Sequence, residues 1–159
     1  MKKSFVIVCY PIGRVGSSAI MGLLSKFGLS LGPEDVSKLK GEHNPRGFFE
    51  SKNHNDLLRT VFPGIYSETS PPPSIRELLE LSKTNLNRYD EFISCNYKEN
   101  TTYCIKSPWS LSLPMWNAME EKYDCKYIYI SRNIDDQANS LMRIWKQHEE
   151  RAVFANRDF

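Results

Sequence analysis

The continuous apolar run Phe5–Cys9 constrains the fold of this chain more than any other segment. Its residues are apolar without alternation, which is typical of a strand buried on both faces of a parallel sheet. A loop with two glycines follows, and from Ala19 the apolar residues recur at helical spacing until Gly28, a natural stop. Ser17 is the predicted N-cap of this helix. Strand, loop and helix in this order predict the opening of a β–α–β unit.

Later segments continue the alternation of strands and helices. The further predicted strands are Thr102–Lys106 and Tyr127–Ile130. The predicted helices cover about 50–61, a long stretch from Ser74 to 93 with a capping box at Glu77 and a break near 85–87, the range 113–121, and the residues after an N-cap at Asn133. The 159 residues suit one domain. We therefore predict a single α/β domain over 1–159, with helices on both sides of a central parallel sheet.

Charge and cysteine content narrow the classes of partner. The formal net charge of +2 is too small to indicate a nucleic acid or a membrane surface as partner. No apolar run approaches the ~18 residues that a bilayer span requires, and the run after Met1 is too short for a secretory signal. No metal site is visible. The cysteines form no C-x-x-C pair and predict reduced thiols of a cytoplasmic protein; they are Cys9, Cys95, Cys104 and Cys125.

Three predicted strands end in residues that bind anions. The carboxyl ends of parallel strands meet at one edge of a sheet, where α/β proteins bind their ligands. The first strand leads into the loop Gly13-Arg14-Val15-Gly16-Ser17-Ser18, the second ends at Lys106, and the third leads to Arg132. Glycine lets the backbone approach an anion, the helix N-terminus attracts it, and an arginine adds a forked cation. The edge is therefore predicted to bind phosphate groups.

The loop 13–18 and the segment Tyr127–Arg132, with Ser140 eight positions after Arg132, resemble the sulfotransferases that use 3′-phosphoadenosine-5′-phosphosulfate (PAPS). The likeness is greatest to the bacterial and tyrosylprotein types. In that family a P-R-S-G-T-[ST] loop binds the 5′-phosphosulfate, and a strand-end Arg with a Ser eight positions later holds the 3′-phosphate. This chain departs from the family pattern at Gly13, Val15 and Ile134, where the family usually has Pro, Ser and Pro.

Two more segments, Asn44–Glu50 and Lys106-Ser107-Pro108, also resemble this family, so the resemblance covers roughly residues 4–145. It implies the P-loop NTPase-like sulfotransferase fold, with PAPS as donor and no metal. The implied donor-binding residues are Gly13, Arg14, Gly16, Ser17, Ser18, Arg132 and Ser140. The family usually continues beyond the point where this chain ends, so we expect either a minimal protein or a fragment.

The resemblance also implies catalytic roles for three residues. Arg14 is assigned to the bridging and leaving-group oxygens, and Lys106 to the sulfuryl group. Glu50 is the first choice for the base that takes the proton of a hydroxyl or amine acceptor, with His43 and His54 as alternatives. The acceptor itself is open: a carbohydrate, a lipid, a small phenol or a peptide. Several aromatic residues are predicted either to line an acceptor or adenine pocket or to pack in the core: Phe48, Phe49, Tyr66, Trp109 and Trp116.

Two other functions stay open. One is a P-loop-type nucleotide kinase or phosphotransferase, and the other is a non-catalytic nucleotide-binding module. The Walker A pattern G-x-x-x-x-G-K-[ST] is not matched, because no lysine follows Gly16. No predicted strand ends convincingly in the aspartate of a Walker B motif either. Both departures count against the kinase.

Overall fold

The computed structural model describes residues 2–10, 14–32, 36–37, 49–62, 74–108 and 113–155. Its elements, in chain order, are β1 (Ser4–Tyr10), α1 (Ser17–Lys26), β2 (Val36–Ser37), β3 (Glu50–Ser51), α2 (Lys52–Val61), α3 (Ile75–Thr84), α4 (Leu86–Asn96), β4 (Thr102–Pro108), α5 (Leu113–Ala118), β5 (Asp124–Tyr129) and α6 (Ile134–Ala155).

Three parallel strands form the main sheet, in the order β4-β1-β5. The central strand is β1, as the continuous apolar run predicted. The strands lie in register, so that Val8 is opposite Lys106 on one side and Ile128 on the other. The carboxyl ends of all three strands therefore lie at one edge. A separate two-stranded antiparallel pair joins β2 to β3, with Glu50 opposite Ser37.

Side chains from the two faces of β1 enter different apolar clusters. Phe5 and Ile7 belong to the larger cluster, which includes buried residues of α2, α4 and α5. The Phe5 ring centroid lies between 5.2 and 6.0 Å from the ring centroids of four aromatic residues, Tyr97, Tyr103, Trp116 and Tyr123. Val8 packs on the opposite face with Met21 of α1. Successive strand residues point to opposite faces, so helices cover both sides of the sheet.

Several local predictions are confirmed. Ser74 and Glu77 form the predicted capping box at the start of α3. The predicted break in the long helix falls at Asn85, between α3 and α4. The Asn133 side chain caps α6, because its Oδ1 accepts hydrogen bonds from the backbone N–H groups of Asp135 at 2.9 Å and Asp136 at 3.4 Å. Both carboxylates stand in the first turn, where the helix dipole favours negative charge.

Other boundaries differ from the prediction. Ser17 is not the N-cap of α1: Gly16 takes that position with a φ of 93°, and no side chain caps the helix. The second helix begins at Lys52 rather than Glu50, because Glu50 pairs with β2 and the Ser51 hydroxyl caps α2 by accepting from the His54 N–H. Strand β4 continues to Pro108, α5 ends at Ala118, and β5 covers 124–129 instead of 127–130.

Within the described ranges, none of the helices combines the length and the apolar character that crossing a membrane demands.

Candidate functional site

The chain turns sharply between the end of β1 and the start of α1. Arg14 and Gly16 both have left-handed backbone conformations, with φ of 70° and 93°. A non-glycine residue rarely adopts this conformation, and strained backbone of this kind is often found at ligand sites. At Gly16 a Cβ would meet no atom within 4 Å, so backbone conformation alone requires glycine there. The turn brings the Arg14 side chain and the N-terminus of α1 to the same edge of the sheet.

The two predicted phosphate motifs touch each other at this edge. The Arg14 Nε donates a hydrogen bond to the Ser140 hydroxyl at 3.1 Å, across 126 residues of sequence. The Arg132 guanidinium donates to the Arg14 carbonyl oxygen at 3.2 Å, across 118 residues. Ser140 is buried, Arg14 half-buried and Arg132 exposed. The segments that follow β1 and β5 thus meet α6 where the sequence predicted two phosphate-binding motifs.

Lys106 lies at the same edge in an ion pair whose amine is buried and whose carboxylate is partly exposed. Its Nζ is 2.8 Å from Glu50 Oε1 and 3.2 Å from the Ser18 hydroxyl. The Lys106 side chain is 4% exposed and that of Glu50 is 28% exposed. Alternation along β4 puts Lys106 on the same face as Cys104, which packs against α1. A buried ammonium needs such a partner, because an unpaired charge away from water is costly.

The Glu50 carboxylate is held through both of its oxygens. Besides the Lys106 contact to Oε1, the Asn55 side-chain amide donates to Oε2 at 3.2 Å. An ionised carboxylate offers about four lone-pair sites, so these two bonds leave room for a third donor. The sequence did not single out Asn55, because no helical spacing rule joins a residue in β3 to one five positions later in α2.

Two hydrogen-bonded groups of three residues thus lie at the carboxyl edge of the sheet: Arg14, Arg132 and Ser140 form one, and Ser18, Glu50 and Lys106 form the other. We call the two groups together the strand-end cluster. Gly16 and Ser17 begin α1 beside it. Gly13 and His43 lie outside the described residues. The strand-end cluster contains three cationic side chains and one carboxylate, so its local charge favours an anionic ligand.

His54 does not join the strand-end cluster. It is buried in the core, and its Nε2 lies 2.5 Å from the Tyr89 hydroxyl. Its Nδ1 has no hydrogen-bond partner among the described residues. Glu50 precedes α2, so His54 does not lie on the same helix face as Glu50, as an alternative base one turn later in the predicted 50–61 helix would. Burial lowers the pKa of His54 from 6.5 to about 4, and this placement argues against His54 as the base.

Buried His54 predicts a loss of stability in mild acid. Its pKa is about 4 in the folded chain and 6.5 as ordinary histidine, so the unfolded chain binds more protons between these values. The contribution is therefore fully present above pH 6.5 and is lost as pH falls to 4, by on the order of 3 kcal/mol in total. Urea denaturation at pH 7.5, 6.0, 5.0 and 4.5 measures this slope.

The control for that slope is His54→Gln, which keeps a hydrogen-bonding group near Tyr89 and removes the titration. The Asp90 carboxylate does not interfere, because its pKa is lowered below 3.8 by hydrogen bonds from Lys122 and Tyr123. Its contribution is present above that value and is lost only below it. Equal slopes in the wild type and in His54→Gln would contradict the prediction.

Comparisons with other proteins add no family to this description. Within the described part of the chain, no group of three or more His, Cys, Asp or Glu side chains is arranged to hold a metal ion. No family model, curated protein or solved structure matches the chain, so its function has to be argued from the strand-end cluster itself.

Proposed function

We propose that this chain is a cytoplasmic sulfotransferase that moves the sulfuryl group of PAPS to a hydroxyl or amine acceptor, on a P-loop NTPase-like sulfotransferase fold. One observation carries the proposal: the Arg14–Ser140 and Arg132–Arg14 hydrogen bonds join the two motifs. The donor has phosphates on both the 5′ and the 3′ side of one ribose. A site for it needs two sets of phosphate ligands within the length of one nucleoside.

The charge distribution supports the same donor. Arg14 and Arg132 bring forked guanidinium groups, which suit bidentate phosphate contacts, and Ser140 adds a hydroxyl. The N-terminus of α1 contributes backbone N–H groups and the positive end of its dipole. The cytoplasmic location rests on the cysteines, which are all unpaired thiols.

The proposed reaction uses three residues of the strand-end cluster. The acceptor O–H or N–H gives its proton to the Glu50 carboxylate, and the acceptor atom forms a bond to sulfur. The bond between sulfur and the 5′-phosphate oxygen breaks, and its electron pair stays on that oxygen. Arg14 stabilises the charge on the leaving phosphate, and Lys106 stabilises the sulfuryl oxygens. The products are the sulfated acceptor and adenosine 3′,5′-bisphosphate.

The kinase alternative differs in the ligand it binds. In a P-loop kinase the lysine that contacts the phosphates belongs to the loop before the helix. In this chain the amine beside the start of α1 is that of Lys106 in β4, whose Nζ lies 3.2 Å from the Ser18 hydroxyl. Melting temperature measured with adenosine 3′,5′-bisphosphate, with ATP and without ligand separates the functions. A ligand at 100 times its Kd stabilises by about 2.7 kcal/mol. A shift with ATP alone overturns the sulfotransferase, and a bisphosphate shift without transfer to any acceptor favours a non-catalytic module.

Arg132→Ala is expected to weaken adenosine 3′,5′-bisphosphate about 10- to 100-fold, because it removes charge-assisted hydrogen bonds to the 3′-phosphate. The affinity for adenosine 5′-phosphate, which has no 3′-phosphate, should change far less. Isothermal titration with both ligands measures the difference. The matched control is Arg143→Ala, since Arg143 is exposed on α6 and, among the described residues, donates only to the Asn139 carbonyl of its own helix. Equal weakening of the two ligands by Arg132→Ala contradicts the 3′-phosphate role.

A further inference from the structure

A cavity of about 450 Å³ runs along α1 beside the strand-end cluster. Its lining residues are Ser18, Ala19, Gly22, Leu23, Ser25, Lys26 and Phe49. The volume lies in the range of about 300–1,000 Å³ that is usual for small-molecule sites. Of the residues that the resemblance assigns to the donor, Ser18 lines this cavity, whereas Arg14, Arg132 and Ser140 do not.

One end of the cavity opens at the reacting groups. Ser18 lines the cavity, and its hydroxyl accepts a hydrogen bond from Lys106 Nζ at 3.2 Å. Phe49 forms another part of the wall and directly precedes Glu50, whose carboxylate is 2.8 Å from the same amine. A hydroxyl at this end would lie next to both the amine and the carboxylate.

Phe49 is held in a strained conformation to form its wall. Its φ of 55° is left-handed, which is uncommon for a bulky residue and marks a candidate functional position. The ring packs toward α1, where a Cβ built on Gly22 would lie 3.6 Å from Phe49 Cζ. A methyl group at position 22 therefore fits in ordinary contact, whereas a larger side chain has to enter the cavity.

The wall chemistry favours an apolar ligand body. Ala19, Leu23 and Phe49 give apolar surface, and Leu23 is an exposed large hydrophobic residue. Among the lining residues that the structure describes, the polar side chains are two serines and one lysine. A sugar carries a hydroxyl on most carbons and would lose water there without gaining enough partners. An aryl or alkyl body would not.

The far end of the cavity is cationic. Lys26 is the one charged residue among the described lining residues, and about 12 Å separates it from Ser18 along the helix axis at 1.5 Å per residue. It takes part in none of the ion pairs found among the described residues. A lysine in the last turn also suits the helix dipole. No carboxylate occurs among the described lining residues, and this absence disfavours a cationic ligand at this end.

We propose that this cavity is the acceptor site and that it takes an aryl or alkyl alcohol. The hydroxyl lies at the Ser18 end and a neutral or anionic group at the Lys26 end; carbohydrates are excluded. This inference rests on the proposed sulfotransferase function and narrows its acceptor class.

The experiment compares acceptors that share one body and differ in charge. The probes are 3-(4-hydroxyphenyl)propanoate, its methyl ester, tyramine and glucose, each tested for kcat/KM with PAPS and for direct binding with and without adenosine 3′,5′-bisphosphate. We expect the propanoate to exceed tyramine by about five- to tenfold, as one partly exposed charge contact allows, and glucose to give no signal. Lys26→Glu should reverse that order. The matched control is Lys83→Glu, which changes an exposed lysine in the last turn of α3 and should leave the order unchanged.

A second variant tests the cavity without relying on charge. Gly22→Leu should abolish acceptor binding and leave the affinity for the bisphosphate unchanged, while Gly22→Ala keeps both. Circular dichroism and the bisphosphate affinity report whether Gly22→Leu has folded. Retained acceptor binding in folded Gly22→Leu overturns the inference, as does an unchanged charge order in Lys26→Glu or a preference for glucose.

The two proposals fail in different ways. If the proposed sulfotransferase function is wrong, the chain does not bind adenosine 3′,5′-bisphosphate. Even then, direct binding of the propanoate, the ester and tyramine can be ranked in the wild type, in Lys26→Glu and in Gly22→Leu. That ranking still supports or overturns the ligand class proposed for the cavity. The chain could instead bind the bisphosphate and turn over acceptors at rates that neither Lys26→Glu nor Gly22→Leu changes. That result supports the sulfotransferase and shows that the cavity is not its acceptor site.

Discussion

Lys106→Met is expected to lower kcat for sulfuryl transfer by about 10²- to 10³-fold, the usual cost of removing one preorganised donor from a reacting group. Methionine keeps an unbranched apolar stem in a position where the side chain is 4% exposed. It removes the ammonium that contacts Glu50 at 2.8 Å and Ser18 at 3.2 Å. The Glu50 carboxylate keeps its Asn55 hydrogen bond, and the Glu50 side chain is 28% exposed, so the variant should fold. Steady-state kinetics and urea denaturation measure both effects.

The matched control is Lys122→Met. Lys122 also forms a close ion pair, at 2.6 Å to Asp90, but its side chain is 61% exposed. It lies just before β5, at the amino end of the sheet and opposite the carboxyl edge that holds the strand-end cluster. Exposed pairs contribute about 0–1 kcal/mol, so this variant should keep its kcat. A wild-type kcat in folded Lys106→Met, or an equal loss in Lys122→Met, would count against Lys106 as a catalytic cation.

Glu50→Gln is expected to keep donor binding and to lower kcat by about 10²- to 10⁴-fold, the range for loss of general base catalysis. Glutamine has the same shape, so its amide oxygen still accepts a hydrogen bond from Lys106 or from Asn55. What it loses is the capacity to take the acceptor proton. Titration with adenosine 3′,5′-bisphosphate and single-turnover kinetics measure binding and chemistry separately. Asp90→Asn makes the same chemical change in the exposed Lys122 pair and should leave kcat unchanged.

A double variant separates a base from a residue that only positions Lys106. If Glu50 acts solely by holding the amine, Glu50→Gln has no further effect once Lys106 is methionine. We expect a further fall in kcat in the Lys106→Met background. The absence of that fall would reassign Glu50 as a positioning residue and return the role of base to a residue outside the strand-end cluster.

The parts of the site that lie at strand ends were predictable from the sequence. A continuous apolar run can hardly be anything but a central strand, and parallel strands bring their carboxyl ends together. Arg14, Lys106 and Arg132 therefore lie at one edge, as expected. The contact between Arg14 and Ser140 follows from the same topology, since α6 begins directly after β5. The roles of these residues toward a donor stay predictions.

The Glu50–Lys106 pair was not predictable in the same way. Spacing rules relate neighbours within one element, whereas this pair joins β3 to β4 across 56 residues. The helical pattern after Glu50 also hid the short pairing with β2, which moves Glu50 out of the helix. The predicted N-cap at Ser17 was wrong for a related reason. Gly16 occupies the N-cap position in a left-handed conformation, and that conformation depends on how the chain leaves β1.

Because Phe49 has a left-handed backbone conformation, its side chain affects both the stability of the fold and the shape of the cavity. Non-glycine residues in that conformation cost on the order of 1–3 kcal/mol, so Phe49→Gly or Phe49→Asn removes part of the cost and also removes the wall over Gly22. If the cavity binds the proposed acceptor, selection for thermostability alone would therefore favour an open cavity and a broader range of acceptors. A lineage that keeps a large aromatic residue here accepts lower stability in exchange for a narrower choice of ligand.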